Sequence, residues 1–191
     1  MSKYALFDRS KLEVKSLNER VSKSDLSIML DKAPPVTQEE YDLVKKVADE
    51  FERSNNNNNN APIIIAYGAH LFKNGCSPLL IELMKAGYVQ QLLTNGAGVI
   101  HDFEMALIGK TEEDVRKYVK EGQFGIWEET GKYLNETIIN GANKDIGLGE
   151  AVGEAVTKLP NKQHSIVATA YELDIPLSVC VGIGHDIIHT H

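Results

Sequence analysis

Residues 88–107, YVQQLLTNGAGVIHDFEMAL, decide the reading of the fold. The apolar stretch Tyr88 to Thr94 breaks at Asn95-Gly96-Ala97-Gly98, and a helical pattern follows through Phe103, Met105 and Leu107. This is a strand, a glycine-rich turn and a helix. Upstream, Pro62-Ile63-Ile64-Ile65-Ala66 is a short apolar run that reads as a strand buried on both faces. Ser77-Pro78 then opens a helix, since proline fits a first turn, and Gly87 closes it. Downstream, Ser165 to Glu172 reads as a helix, Asp174-Ile175-Pro176 as a tight exit, and Leu177 to Val181 as a third buried strand ending at Gly182-Ile183-Gly184. Strands separated by helices need right-handed crossovers, so the expected fold is α/β, a parallel sheet with helices on both faces.

The remaining segments are arranged around that unit. Residues 1–36 show no sustained period and close at Pro34-Pro35, which a helix does not cross, so they read as an arm packed on a single α/β domain of residues 37–191. Thr37 with Glu40 offers a capping box to a helix over Gln38 to Arg53, whose face of Tyr41, Val44, Ala48 and Phe51 is expected in the core. Asn55 to Asn60 is a polar homopolymer with nothing apolar to bury, and reads as a flexible insertion. Thr111-Glu112-Glu113-Asp114 looks like an acidic first turn of a helix ending at Gly122, and further helices are expected near Trp127 to Asn140 and Glu150 to Lys158.

A length of 191 residues with 42% hydrophobic content supports one ordinary core. The formal net charge of -7 argues against a nucleic-acid partner, because phosphate neutralisation needs a basic face. Met1 to Ser10 lack the apolar core of a secretory signal, and no apolar run approaches the roughly 18 residues that cross a bilayer. Two cysteines, Cys76 and Cys180, are too few for a disulfide framework, so a soluble, cytoplasmic protein is expected.

Ligands of parallel sheets bind beyond the carboxyl ends of the strands. The first end carries Tyr67-Gly68-Ala69-His70 and Lys73-Asn74-Gly75, the second Thr94 to Gly98 with His101, Asp102 and Glu104, and the third Gly182, Gly184, His185 and Asp186. Gly96-Ala97-Gly98-Val99-Ile100-His101 is a partial dinucleotide fingerprint, with His101 where the third small residue belongs; a plain tight turn is the competing reading. A small-molecule ligand, NAD first, is expected in one cleft lined by His70, Asn74, Thr94, Asn95, Gly98, His101, Asp102 and Asp186. His101 would act as base, oriented by Asp102. The rival is a divalent metal held by His70, His101, His185 and His189, which would make the chain a metal-dependent hydrolase. Lys73 reads either as a solvated charge or as a Schiff-base lysine.

The stretches AYGAHLFKNG (66–75), LLIELMKAGYVQQLLTNGAGVIHDFEMAL (79–107) and SIVATAYELDIPLSVC (165–180) resemble the deoxyhypusine synthase family, over roughly Ile63 to His191. The nearest likeness is to a branch with the TNGAG and HDFE signatures. The resemblance implies a Rossmann-like fold, NAD as cofactor, and homo-oligomers with sites between subunits. It places His70 and Asn74 in a first cofactor loop, Thr94, Asn95, Gly96, Ala97 and Gly98 in a second, and Asp186 beside the cofactor. Two departures matter: Ile100 and His101 stand where the synthases place acidic residues, and the section bearing the nucleophilic lysine is not present by His191. Transfer of an aminobutyl group to a protein lysine is therefore not expected, and a non-catalytic assembly or binding protein is a further alternative. With three clear strands, an uncovered sheet edge also predicts a homo-oligomer.

Overall fold

The computed structural model describes residues 3–6, 8–56 and 61–191; Asn57 to Asn60 of the asparagine tract lie outside the described residues. In chain order the elements are β1 (Ser22–Asp25), α1 (Gln38–Asn56), β2 (Ile64–Ala66), α2 (Ala69–Lys73), α3 (Ser77–Lys85), β3 (Gln91–Asn95), α4 (Gly96–Ile108), β4 (Lys110–Glu113), α5 (Val115–Lys120), α6 (Glu128–Asn143), α7 (Leu148–Val156), α8 (Ile166–Glu172) and β5 (Leu177–Cys180). β2, β3 and β5 form one parallel sheet in the order β2-β3-β5. This is the α/β fold with a parallel sheet that the strand-turn-helix pattern predicts.

The sheet order determines where the helices go. Both crossovers step in the same direction, and right-handed crossovers that do so leave their helices on one face. Accordingly Ile65, Leu92, Leu177 and Val179, which the register aligns on one side, pack against α3, α4, α7 and α8. The other side carries Ile64, Ala66, Ser178 and Cys180, all exposed, with Ile64 at 49%. The described helices thus cover one face, where helices on both faces and fully buried strands were expected. A run of three isoleucines does not distinguish the two arrangements, because periodicity within so short a run is invisible.

Two local readings also change. α1 does begin with the Thr37/Glu40 capping box, Thr37 N donating to Glu40 Oε2 at 2.8 Å and Glu40 N to Thr37 Oγ1 at 3.3 Å. Its apolar stripe is not core, however: Tyr41, Val44 and Ala48 are exposed, Val44 at 61%. Amphipathicity states only that a helix has an apolar face, not that a partner is present. The second change concerns Lys110 to Glu113, which is a strand, paired antiparallel with β1 through Ser22 to Glu113 and Ser24 to Thr111. The acidic turn read as a helix start is captured by that distant strand, and the helix begins one step later, where Asp114 caps α5 by accepting from Lys117 N at 3.0 Å.

The described part of the first 36 residues meets the body of the protein along this two-stranded ribbon and at two further points. Leu17 is buried beside Trp127 and Tyr118, whose rings meet edge-on at 5.0 Å. Leu30 N donates to Gly75 O at 2.9 Å. No helix among the described residues is long and apolar enough to cross a membrane.

Candidate functional site

A cleft of about 670 Å³ opens between the start of α4 and the β1-β4 ribbon. Ala97, Ile100, His101 and Glu104 come from α4, Arg20 and Lys23 from the chain around β1, Glu112 and Glu113 from β4, and His185 and Asp186 from the segment after β5. α4 is long and apolar enough to be held rigidly, with Val99, Phe103 and Ala106 in the core. Its positions 97, 100, 101 and 104 follow the helical three-and-four spacing and share the face turned to the cleft.

At the floor lies a buried ion pair. Arg20 Nη1 and Nη2 donate to Glu104 Oε1 and Oε2 at 2.8 and 2.7 Å, with the two side chains 2% and 1% exposed. Thr130 Oγ1 donates to Oε1 at 2.8 Å and Thr111 Oγ1 to Oε2 at 2.7 Å, so four donors surround the carboxylate. Such satisfaction is what allows a charge pair to be tolerated away from water. Above it, His101 Nδ1 lies 2.7 Å from Thr111 Oγ1. Burial pushes the imidazole pKa down to about 4, so the ring is neutral at pH 7. On the ribbon side, Lys73 Nζ is 3.6 Å from Glu112 Oε1, a partly exposed ion pair. Glu112 holds a backbone φ of 66°, a strained setting for a residue with a side chain. Glu113 accepts from Gly125 N and Trp127 Nε1, while burial raises its pKa.

The glycine-rich turn is built on internal contacts. Asn95 Oδ1 caps α4 by accepting from Gly98 N at 2.9 Å. A Cβ on Gly98 would meet Thr94 Oγ1 at 2.2 Å, and one on Gly96 would meet Asp186 Oδ2 at 2.0 Å. Thr94 is buried and its hydroxyl donates to Tyr67 O at 3.1 Å, tying β3 to the end of β2. The N–H groups of Gly96 and Ala97 have no hydrogen-bond partner among the described residues, being the orphan donors of a helix start.

Of the expected cleft residues, the structure places His101 and Asp186 in this cleft, together with Ala97 of the second cofactor loop, and Gly96 lies behind Asp186. His70, at the start of α2, and Asn74, just past its end, are exposed and lie outside the cleft, with Asn74 Nδ2 donating to His70 O at 2.8 Å. Asp102 does not orient His101. Adjacent residues on a helix point about 100° apart, so His101 faces the cleft while Asp102 faces the interior. There Asp102 Oδ2 accepts from Ile166 N and Val167 N at 2.8 and 3.1 Å, capping α8. The orienting group is Thr111, and the residues that sequence reading missed are Arg20, Thr111, and Glu104 as the acceptor that fixes the Thr111 hydroxyl. Only the three-residue spacing of His101 and Glu104 carried a signal for them. Among the described residues no group of three or more His, Cys, Asp or Glu side chains is placed to hold a metal; His189 Nδ1 is taken up by Gly184 N at 2.9 Å, and His70 lies apart.

Asp102 yields a pH prediction. Burial pushes its pKa up to about 7 from 3.8, so between those values the folded chain holds a proton that the unfolded chain has released. Its contribution to stability is full below pH 3.8, falls as pH rises toward 7 and is flat above. Asp102→Asn keeps an acceptor for Ile166 N and Val167 N but does not titrate. Thermal melts across this range are expected to show a shallower decline in the variant, and identical slopes would refute the assignment.

The sequence model of a family described as "Arginine dihydrolase ArgZ-like, C-terminal, Rossmann fold" matches residues 45–158, more than half of the chain. The chain belongs to this family. Among solved structures it is similar to ArgZ without ligand, an arginine dihydrolase from the ornithine-ammonia cycle in cyanobacteria, at 19% identity and a TM-score of 0.53 over 80% of this chain and 19% of that one. It is also similar to a conserved protein provisionally assigned as LOR/SDH from Methanococcus maripaludis S2, at 20% identity and a TM-score of 0.52 over 83% of this chain and 46% of that one. At these identities the likeness is one of fold, and the chain spans less than half of either relative. No curated protein matches by sequence. The resemblance to deoxyhypusine synthases is thereby corrected to the ArgZ-like family, and the synthase-derived function falls with it. The order strand, glycine turn, helix, strand is common property of Rossmann sheets, so it identifies the architecture rather than the family.

Proposed function

We propose that this chain is a dinucleotide-binding domain of an ArgZ-like protein, taking NAD at the carboxyl edge of β2-β3-β5 with a small-molecule ligand in the adjoining cleft. The observation that carries the reading is the first turn of α4: two backbone N–H groups without partners stand at the head of a 13-residue helix, and Ala97 also lines the cleft. Orphan N–H groups and the helix dipole together favour a phosphate. Asp186 argues against a bare phosphate, because its carboxylate already lies beside Gly96. A dinucleotide resolves that conflict, since ribose hydroxyls donate to a carboxylate while the diphosphate takes the N–H groups. NAD, when bound, supplies a hydride acceptor.

The arginine dihydrolase activity is that of ArgZ, of which this chain spans 19%, and nothing in the cleft requires it of this domain. The unpaired Cys76 and Cys180 support a reducing, cytoplasmic setting. Self-association belongs to the same reading, supported by the bare sheet face around Ile64; light scattering that reports one chain at both low and high concentration would contradict it.

The test is Ala97→Pro. Proline is accommodated in a first helical turn and removes one N–H, so the fold should be kept. Losing a hydrogen bond to a charged group, about 1.5–3 kcal/mol, is expected to weaken NAD binding at least about tenfold by calorimetry. Equal affinity in parent and variant, or no binding of NAD to the parent, would sink the proposal.

A further inference from the structure

The tautomer of His101 follows from its neighbours. Thr111 Oγ1 has one proton and two close partners, Glu104 Oε2 and His101 Nδ1, each at 2.7 Å. The carboxylate of Glu104, paired with Arg20, has only acceptor sites, so the Thr111 proton goes to it. The hydroxyl oxygen must then accept from His101, which places the ring proton on Nδ1. In a neutral imidazole the remaining nitrogen, Nε2, is a bare lone pair. Nε2 has no hydrogen bond among the described residues and is not among the buried orphan atoms, while the residue lines the cleft.

We propose that His101 is the proton acceptor of this cleft, taking onto Nε2 a proton from an O–H or N–H group of a small ligand, with Thr111, Glu104 and Arg20 as positioning residues that fix its tautomer. In the step the ligand's O–H or N–H bond breaks and an Nε2–H bond forms; nothing is oxidised, and the proton later leaves through the open side of the cleft. The ring, cationic at that moment, keeps its Nδ1–H bond to Thr111, and the Glu104 carboxylate beyond partly compensates its charge. Burial keeps the ring free of a solvent proton throughout the neutral range, so the lone pair stays available, and its low basicity confines the step to ligand protons that are themselves acidic. The inference rests on the proposed reading only for the presence of a small ligand in the cleft.

Two measurements without any nucleotide test it, so their outcome is separable from that of NAD binding. Long-range proton–nitrogen NMR of the full chain at pH 7 is expected to show His101 as the Nδ1–H tautomer. Diethyl pyrocarbonate, a small reagent that acylates only unprotonated imidazole, is then applied at about pH 5.5, where a histidine of ordinary pKa is roughly 90% protonated. His101 is expected to keep nearly all of its pH 7 rate, whereas a histidine of ordinary pKa slows roughly eightfold between pH 7 and 5.5, each read against itself by peptide mass spectrometry. Thr111→Val should shift the ring toward the Nε2–H tautomer and slow its acylation, and Thr111→Ser should restore both. A parent ring that is Nε2–H or cationic at pH 7, or a valine variant that folds with tautomer and rate unchanged, overturns the proposal. If the valine variant does not fold, the parent tautomer and the serine variant decide.

Discussion

Replacing Glu104 with alanine is expected to cost about 3–5 kcal/mol of folding stability, because it leaves a buried guanidinium without a counter-charge. Arg20 is 7% exposed as a residue and donates two bonds to this carboxylate, keeping only the bond from Nε to Ser22 Oγ when it is removed; Thr111 and Thr130 lose their acceptor at the same time. A double replacement, Arg20→Leu with Glu104→Leu, should be far less damaging than the single alanine, since both charges then go and apolar volume remains. Urea unfolding of the three proteins checks this. If the alanine variant is as stable as the parent, water reaches Arg20 and the floor of the cleft is not closed as described. If the double variant is as unstable as the single one, the loss lies in packing and the threonines rather than in an orphaned charge.

Gly75→Ala is the second large effect. Gly75 has a φ of 69°, and a Cβ there would lie 1.9 Å from the backbone oxygen of Ile28. A left-handed backbone costs a residue with a side chain about 1–2 kcal/mol, and forcing an extra carbon into a packed contact a further 1–3 kcal/mol or so. The clash is with main chain, which cannot rotate away as a side chain does. The expected result is a loss of about 2–5 kcal/mol by urea unfolding, with cleavage by protease appearing first between Val21 and Pro34. That segment docks on Gly75 through Leu30 N, and the same stretch of chain delivers Arg20 and β1 to the cleft. Stability within a few tenths of a kcal/mol of the parent would mean that the docking is not tight.

The two effects meet in the cleft. Disturbing Gly75 should loosen Arg20, and loosening Arg20 should release Thr111 and the His101 tautomer.

Several features that depend on neighbours in sequence are legible from the sequence by itself: the apolar run at Val89 to Leu93, the turn at Asn95 to Gly98, the helix bearing His101, and the capping pair Thr37 and Glu40. These follow from periodicity, glycine and local hydrogen bonding, which act over a few residues. What only the tertiary structure decided are contacts between distant segments. Arg20 and Glu104 are 84 positions apart, and no local signal couples an arginine in an irregular arm to a glutamate in a helix. The acidic neighbours of Thr111 favour a helix start, yet the residue lies in a strand paired with β1, because a strand is stabilised across the pair rather than along the chain. Asp102 and His101, adjacent in the chain, were read as a working pair, yet helical geometry turns one to the interior and the other to the cleft. The sheet's one-sided cover likewise came from the order β2-β3-β5, which handedness converts into a face but which no residue in isolation encodes.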